Sequence, residues 1–151
     1  MSVNPDGPEC ICGNSGCLEA YSSVRGIAKR AYKYIKNKDD ASDFSDNDIE
    51  KINKVFNIAI NMARNGDKNM MDLFDDAGYY LGIGIANLVN ILNPKIIIIS
   101  GSFCEAADLF FDKAKKTAKQ RSWPLSEYQI ITSSSKKNAA IGAALQIINQ
   151  A

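Results

Sequence analysis

Histidine is absent from all 151 residues. This removes the commonest general acid/base and the commonest nitrogen ligand for a metal, so any chemistry done by these residues falls to carboxylates, Lys, Cys or Tyr. One-signed charge is also missing: 18 Lys+Arg stand against 17 Asp+Glu, a net charge of +1, with no Lys/Arg run. Without a basic field there is no drive towards a phosphate backbone, and direct nucleic-acid binding by this chain is not expected. Long apolar runs are lacking too. The most apolar stretch, residues 81–92, is interrupted by Asn87 and Asn90 and preceded by Asp75 and Asp76. It is shorter than the roughly 20 residues a membrane span needs. The opening MSVNPDGPEC shows no secretory pattern, so a cytoplasmic location is expected. A composition of 46% hydrophobic and 23% charged residues matches one globular domain able to bury a single core.

Residues 1–16 are rich in Pro, Gly, Asn and Cys and carry no hydrophobic period, which predicts a loop. Over residues 18–36, Leu18, Tyr21, Val24, Ala28, Ala31, Tyr32 and Ile35 recur at three- and four-residue spacings. That pattern predicts an amphipathic helix, basic towards its end. Residues 37–47 read as a polar surface loop, with Ser45 the expected N-cap of a helix through Ile49, Ile52, Val55, Phe56, Ile60 and Ala63. Asn65-Gly66 should end it.

The longest periodic segment carries Leu73, Ala77, Leu81, Gly84, Leu88 and Leu92 on one stripe and stops at Asn93-Pro94, predicting a central, well-buried helix. Residues 96–99 are four isoleucines without alternation, the pattern of a parallel strand covered on both faces. A helix over about 105–120, a strand near 128–132 and a last helix over about 138–148 complete an α/β order. Asp76-Ala77-Gly78 has the form of a phosphate-binding turn, but it lies inside the periodic helix and is read as chance. Cys104, past the strand, reads as a packing residue.

Of the four cysteines, Cys10, Cys12 and Cys17 fall within eight positions. In a reducing compartment such a cluster reads more readily as a metal or reactive site than as a disulfide framework. Gly13 and Gly16 let the backbone turn so that the sulfurs converge. A zinc ion seeks a tetrahedron of four ligands, of which this loop supplies three. The competing reading is a loop of three inert, buried thiols.

The run CICGNSGCLEAYSS, from Cys10 to Ser23, resembles the CxCGxxGCLE signature of the ROK family of bacterial sugar kinases and sugar-responsive repressors. LGIGIANLVNILNPKIIIISG over residues 81–101 is similar to that family's helix, Asn-Pro turn and strand, and AAIGAAL over residues 139–145 to its C-terminal helix. The resemblance implies an α/β lobe of the actin/hexokinase-like (ribonuclease H-like) fold, helix-rich with a short parallel sheet. It implies a cysteine loop at residues 1–17 and the C-terminal α/β lobe of a ROK protein at residues 18–151, forming one domain.

Residue by residue, the resemblance makes Cys10, Cys12 and Cys17 three of four structural Zn²⁺ ligands. The fourth is a His in a Glu-x-Gly-His element that precedes the first cysteine in the family. Glu19 matches the glutamate that accepts hydrogen bonds from sugar hydroxyls; the competing reading is a solvated Glu in a first helical turn. Gly101 and Ser102 match the turn that approaches the adenosine of Mg-ATP, although Ser100-Gly101-Ser102 stands where the family carries consecutive glycines. Gly142 reads as helix packing.

The phosphate-holding turn and the catalytic Asp belong to the family's N-terminal lobe, so this chain alone is expected to be catalytically inert. The partners implied are a hexose or amino-sugar ligand, that N-terminal lobe and a second copy in a homodimer. A ROK sugar kinase acting on glucose or a related hexose is the first reading of the whole protein. The sugar-sensing, dimerising lobe of a ROK repressor is the second, and a non-catalytic interaction domain the third.

Overall fold

A computed structural model describes residues 1–36 and 44–133. The helix expected at 138–148, Gly142 and the AAIGAAL run lie outside the described residues. Helices α1 (Leu18–Tyr21), α2 (Val24–Ile35), α3 (Ile49–Arg64) and α4 (Lys68–Leu92) are followed by strand β1 (Ile96–Ser100), a short 3₁₀ helix (Ser102–Ala106), α5 (Ala107–Arg121) and β2 (Gln129–Ser133). The strands pair in parallel, with Ile98 opposite Ile131. A crossover containing α5 joins them, as a parallel pair requires.

The continuous helix expected over residues 18–36 is two helices. At Ser22 the backbone leaves helical geometry (φ −125°, ψ 47°), and the Ser22 hydroxyl donates to the Ala77 carbonyl at 2.7 Å. The Ser23 side chain then accepts from the Gly26 N–H at 3.0 Å and starts α2 afresh. A Cβ at Gly26 would lie 2.5 Å from the Ala20 carbonyl oxygen. Glycine thus lets α2 fold back against α1. The cap of α3 is Asp48, accepting from Lys51 N–H at 2.9 Å, rather than Ser45, whose hydroxyl accepts from Asn47 N–H. At the other end Gly66 adopts φ 88°, and Asp67 N–H reaches the Met62 carbonyl, closing the helix as expected.

Helix α4 is capped by Asp67 and ended by Asn93 in the left-handed conformation, φ 44°, just before Pro94. Leu73, Ala77, Leu81 and Gly84 are buried as the stripe requires, but Leu88, Ile91 and Leu92 are exposed. Its closest neighbour is α5: a Cβ on Gly78 would lie 2.5 Å from the Phe110 carbonyl oxygen, and one on Gly82 2.5 Å from Thr117 Cβ. Phe74 and Phe110 are fully buried. Phe110 stacks on Phe103 of the 3₁₀ helix with centroids 4.1 Å apart, and Phe56 of α3 completes the aromatic centre.

Strand β1 departs from the double-covered expectation. Ile97 and Ile99 pack on the core, whereas Ile96 and Ile98 are 55% and 60% exposed. Alternation is a property of the pleat, so a uniform isoleucine run still presents two faces, and among the described residues only one is covered by helices.

Candidate functional site

Residues 1–17 fold back on themselves through paired backbone segments. Isolated bridges join Ser2 to Cys17 and Glu9 to Ser15. Val3 N–H donates to the Gly16 carbonyl, Gly16 N–H to the Pro8 carbonyl and Cys10 N–H to the Asn14 carbonyl, each at 2.8 Å. Gly13 and Gly16 take φ 85° and 63°, the left-handed turns that the glycine spacing predicts.

The result gathers Cys10, Cys12 and Cys17 so that their sulfurs all lie within 4.8 Å of one another. Cys12 Sγ and Cys17 Sγ are 3.6 Å apart. A tetrahedral ion with Zn–S bonds of about 2.3 Å has a sulfur–sulfur edge of about 3.8 Å, so the cluster fits such an ion with little movement. Among the described residues no further His, Cys, Asp or Glu joins the group.

The three thiols are not equivalent. Cys12 is exposed and Cys17 buried. Hydrogen bonds from the Asn14 backbone and then from the neighbouring cysteines hold the Cys12 thiol below its ordinary value. The hydrogen bond to Cys12 and burial push Cys17 up to about 11. Of these two, Cys12 gives up its proton before Cys17, and the Cys17 thiol stabilises the resulting thiolate. An ion held by all three sulfurs would displace the remaining protons, so such binding would tighten as pH rises.

Cys17 is also the residue from which α1 starts, which places Glu19 two positions beyond the cluster. Its side chain is half exposed, with Oε1 3.7 Å from Arg25 Nη1. Glu19 and Cys10 both line an open cavity of about 460 Å³, together with Arg25, Lys29 and Arg30 of α2 and Asp46. The cations are mostly engaged: Lys29 pairs with Asp46 at 2.8 Å, and Arg30 pairs with Asp76 of α4. The cavity is thus walled by charges of both signs, with carboxylate acceptors and N–H donors facing a volume the size of a small polar molecule.

Gly101 and Ser102 lie at the end of β1 and do not line that cavity. Gly101 has φ 104°, and a Cβ built there meets nothing within 4 Å. Asp76-Ala77-Gly78 lies within α4, as the periodicity indicates. Cys104 packs with its Sγ 3.4 Å from the Ile99 carbonyl.

Sequence reasoning overlooked Asn4 and Tyr80. Asn4 Nδ2 donates to the Tyr21 and Tyr80 hydroxyls at 2.9 and 3.1 Å, and the two phenol rings stack with centroids 3.7 Å apart. Asn4 sits in a loop without periodicity, so no pattern marked it.

The ROK family model matches residues 1–150, and the chain belongs to the ROK family. It is 28% identical to the xylose repressor of Bacillus spizizenii over 98% of this chain and 35% of that protein. It is 34% identical to a glucokinase of Halalkalibacterium halodurans over 77% of this chain and 35% of that protein. Among solved structures it is similar to a ROK family glucokinase from Streptomyces griseus in complex with glucose and AMPPNP. That likeness has a TM-score of 0.70 and 25% identity, covering 97% of this chain and 49% of that one. The chain spans about a third of the length of the curated relatives and about half of that kinase. Its fold is the helix-rich α/β class of the ROK hexokinases and glucokinases, and its relatives include both sugar kinases and transcriptional repressors. No helix among the described residues is long and apolar enough to cross a membrane.

Proposed function

We propose that residues 1–151 form the C-terminal, sugar-holding lobe of a ROK protein, with the cysteine loop of residues 1–17 and the lobe of residues 18–151 acting as one domain. In this reading the Glu19 carboxylate accepts hydrogen bonds from adjacent hydroxyls of a hexose or amino sugar. Cys10, Cys12 and Cys17 hold a structural Zn²⁺ that braces α1. The observation that carries the reading is a cavity lined by both Glu19 and Cys10. A carboxylate suits a diol because its two oxygens accept in a fixed plane. Bound zinc supplies only rigidity here; the residues of this chain position the sugar.

The whole protein is then an ATP-dependent kinase of glucose or a related hexose, and the likeness to glucokinases supports that reading. In it, Gly101 and Ser102 flank the adenosine of Mg-ATP, since the open side of Gly101 lets a ligand approach the backbone. The likeness to xylose repressors supports the second reading, a sugar-sensing and dimerising lobe of a repressor. Both require Glu19 to meet sugar, and both are compatible with a homodimer.

The test is isothermal titration of the chain with glucose, N-acetylglucosamine and xylose, repeated with Glu19→Gln. Loss of a charge-assisted hydrogen bond is worth about 1.5–3 kcal/mol, so binding should weaken roughly 10- to 150-fold. A Glu19→Gln chain that binds as tightly as the parent refutes the assignment. Titration with Mg-AMPPNP separates the parents: binding abolished by bulk at Gly101 supports the kinase, and sugar binding without nucleotide binding supports the repressor.

A further inference from the structure

Asn4 touches two parts of the molecule at once. Its backbone is pressed against Gly16, the residue before Cys17: a Cβ on Gly16 would lie 1.4 Å from the Asn4 carbonyl oxygen, and Asn4 N–H donates to the Gly16 carbonyl at 3.2 Å. Its side chain reaches the other way, giving one amide hydrogen to Tyr21, the last residue of α1, and the other to Tyr80 in the middle of α4. Gly7 closes the arrangement, since a Cβ there would stand 2.3 Å from the Tyr21 hydroxyl and 2.8 Å from Gly16 Cα. The Tyr21 ring stacks on Tyr80 and carries the Arg30 guanidinium 5.3 Å from its centroid.

An amide NH₂ has two hydrogens in one plane, so satisfying two phenol oxygens fixes its orientation. Stacking with centroids 3.7 Å apart fixes the phenols against each other. Cys17 lies between these fixed points, one residue after Gly16 and four before Tyr21. The loop that presents the sulfurs is thereby anchored on the long helix of the core.

We infer that Asn4, with Tyr21 and Tyr80, is a positioning clamp for the metal site, holding Cys17 at the separation from Cys12 that a tetrahedral ion needs. This rests on the reading of the three cysteines as a metal site. Partners that orient ligands through hydrogen bonds typically change metal affinity 10- to 100-fold when removed. The clamp acts at one remove through Gly16 and α1, so the lower part of that range applies.

The experiment measures Zn²⁺ affinity of the chain by competition with a chromophoric chelator, together with the absorption spectrum of the Co²⁺-loaded chain. Asn4→Ala should weaken Zn²⁺ binding about tenfold and alter the cobalt–thiolate bands. Tyr80→Phe, which keeps the stacked ring and loses only one acceptor, should weaken it severalfold. Tyr79→Phe is the control, because the Tyr79 hydroxyl bonds Arg121 and not the loop; it should leave affinity unchanged. Circular dichroism of the metal-free Asn4→Ala and Tyr80→Phe chains at the assay temperature should show the helix content of the parent, so that the lost affinity is read in a folded chain. Unchanged zinc affinity and cobalt spectrum in Asn4→Ala overturn the clamp while leaving the metal site standing. A parent chain that binds neither Zn²⁺ nor Co²⁺ overturns the metal reading and the clamp with it.

Discussion

Gly82→Ala offers a test in which two physical terms of opposite sign compete. Inside a helix, Ala is favoured over Gly by about 1 kcal/mol, because glycine loses more backbone freedom on folding. On an open helix face the substitution would therefore stabilise the protein. At Gly82, however, the new Cβ would sit 2.5 Å from Thr117 Cβ, 2.7 Å from the Ala114 carbonyl oxygen and 3.0 Å from the Ala118 amide nitrogen. Two of these partners are backbone atoms of α5, which cannot rotate away. The helices must separate locally, and overpacking of this kind costs about 1–3 kcal/mol. It also loosens contacts around Phe110, Ala114 and Ala118, all fully buried.

Subtracting the propensity gain leaves a net loss of about 1–2 kcal/mol when the steric cost falls in the upper part of its range, as backbone contacts require. In a chain of this size that corresponds to a fall in Tm of roughly 3–6 °C. Urea unfolding followed by circular dichroism should show a lower midpoint with an unchanged slope. A midpoint above that of the parent would mean that α5 yields freely at Gly82, and the close-packed helix pair would be refuted as the rigid base of the fold.

Two further outcomes can be checked. Alkylation of the metal-free chain at pH 8, read by peptide mass spectrometry, should modify Cys12 fastest. Cys17 should lag: with its thiol pushed up to about 11, on the order of one molecule in a thousand carries the thiolate at that pH. Zn²⁺ should protect Cys10, Cys12 and Cys17 but not Cys104, and equal rates at Cys12 and Cys17 would sink the proposed order of deprotonation. The second concerns Arg64 and Asp108, joined through two guanidinium nitrogens at 2.7 and 3.0 Å. That hydrogen bonding holds the Asp108 carboxyl below its ordinary value. The stabilisation is then fully present above about pH 4 and lost as pH falls through the lowered value. Both groups are about half exposed, so Asp108→Asn should cost no more than about 1 kcal/mol in urea unfolding at pH 7. The difference from the parent should shrink as pH falls through the lowered value, and a larger cost at acid pH than at neutral pH would contradict it.

How far the sequence could be read depends on the range of each cause. The end of α4 was legible because Asn93-Pro94 acts locally, as was the end of α3 at Asn65-Gly66. The break at Ser22-Ser23 was not, because Leu18, Tyr21, Val24 and Ala28 keep helical spacing across it and the hydroxyl that interrupts the helix bonds to Ala77, 55 positions away. Ser45 and Asp48 are both good capping residues three positions apart, and only the observed start at Ile49 selects Asp48. Four consecutive isoleucines signal a strand without revealing which face is covered; the alternating exposure of β1 emerges only when the helices pack.

The same division holds at the site. Cys10, Cys12, Cys17 and Glu19 fall within ten positions, so their spacing and family signature were visible. Asn4 and Tyr80 meet across 76 positions, and Arg30 and Asp76 across 46. No local period can announce such pairs.

The shortness of α1 has one more consequence. Four residues, Leu18–Tyr21, make a single turn, and one turn is far below the length at which a helix sustains itself. The direction of the Glu19 carboxylate is therefore set from outside, by the loop before it and the stacked tyrosines after it. In the function proposed above, binding at the sulfurs and binding at Glu19 would draw on one ordering event. By thermodynamic linkage, whatever factor an ion adds to the affinity for a sugar, the sugar must return to the ion.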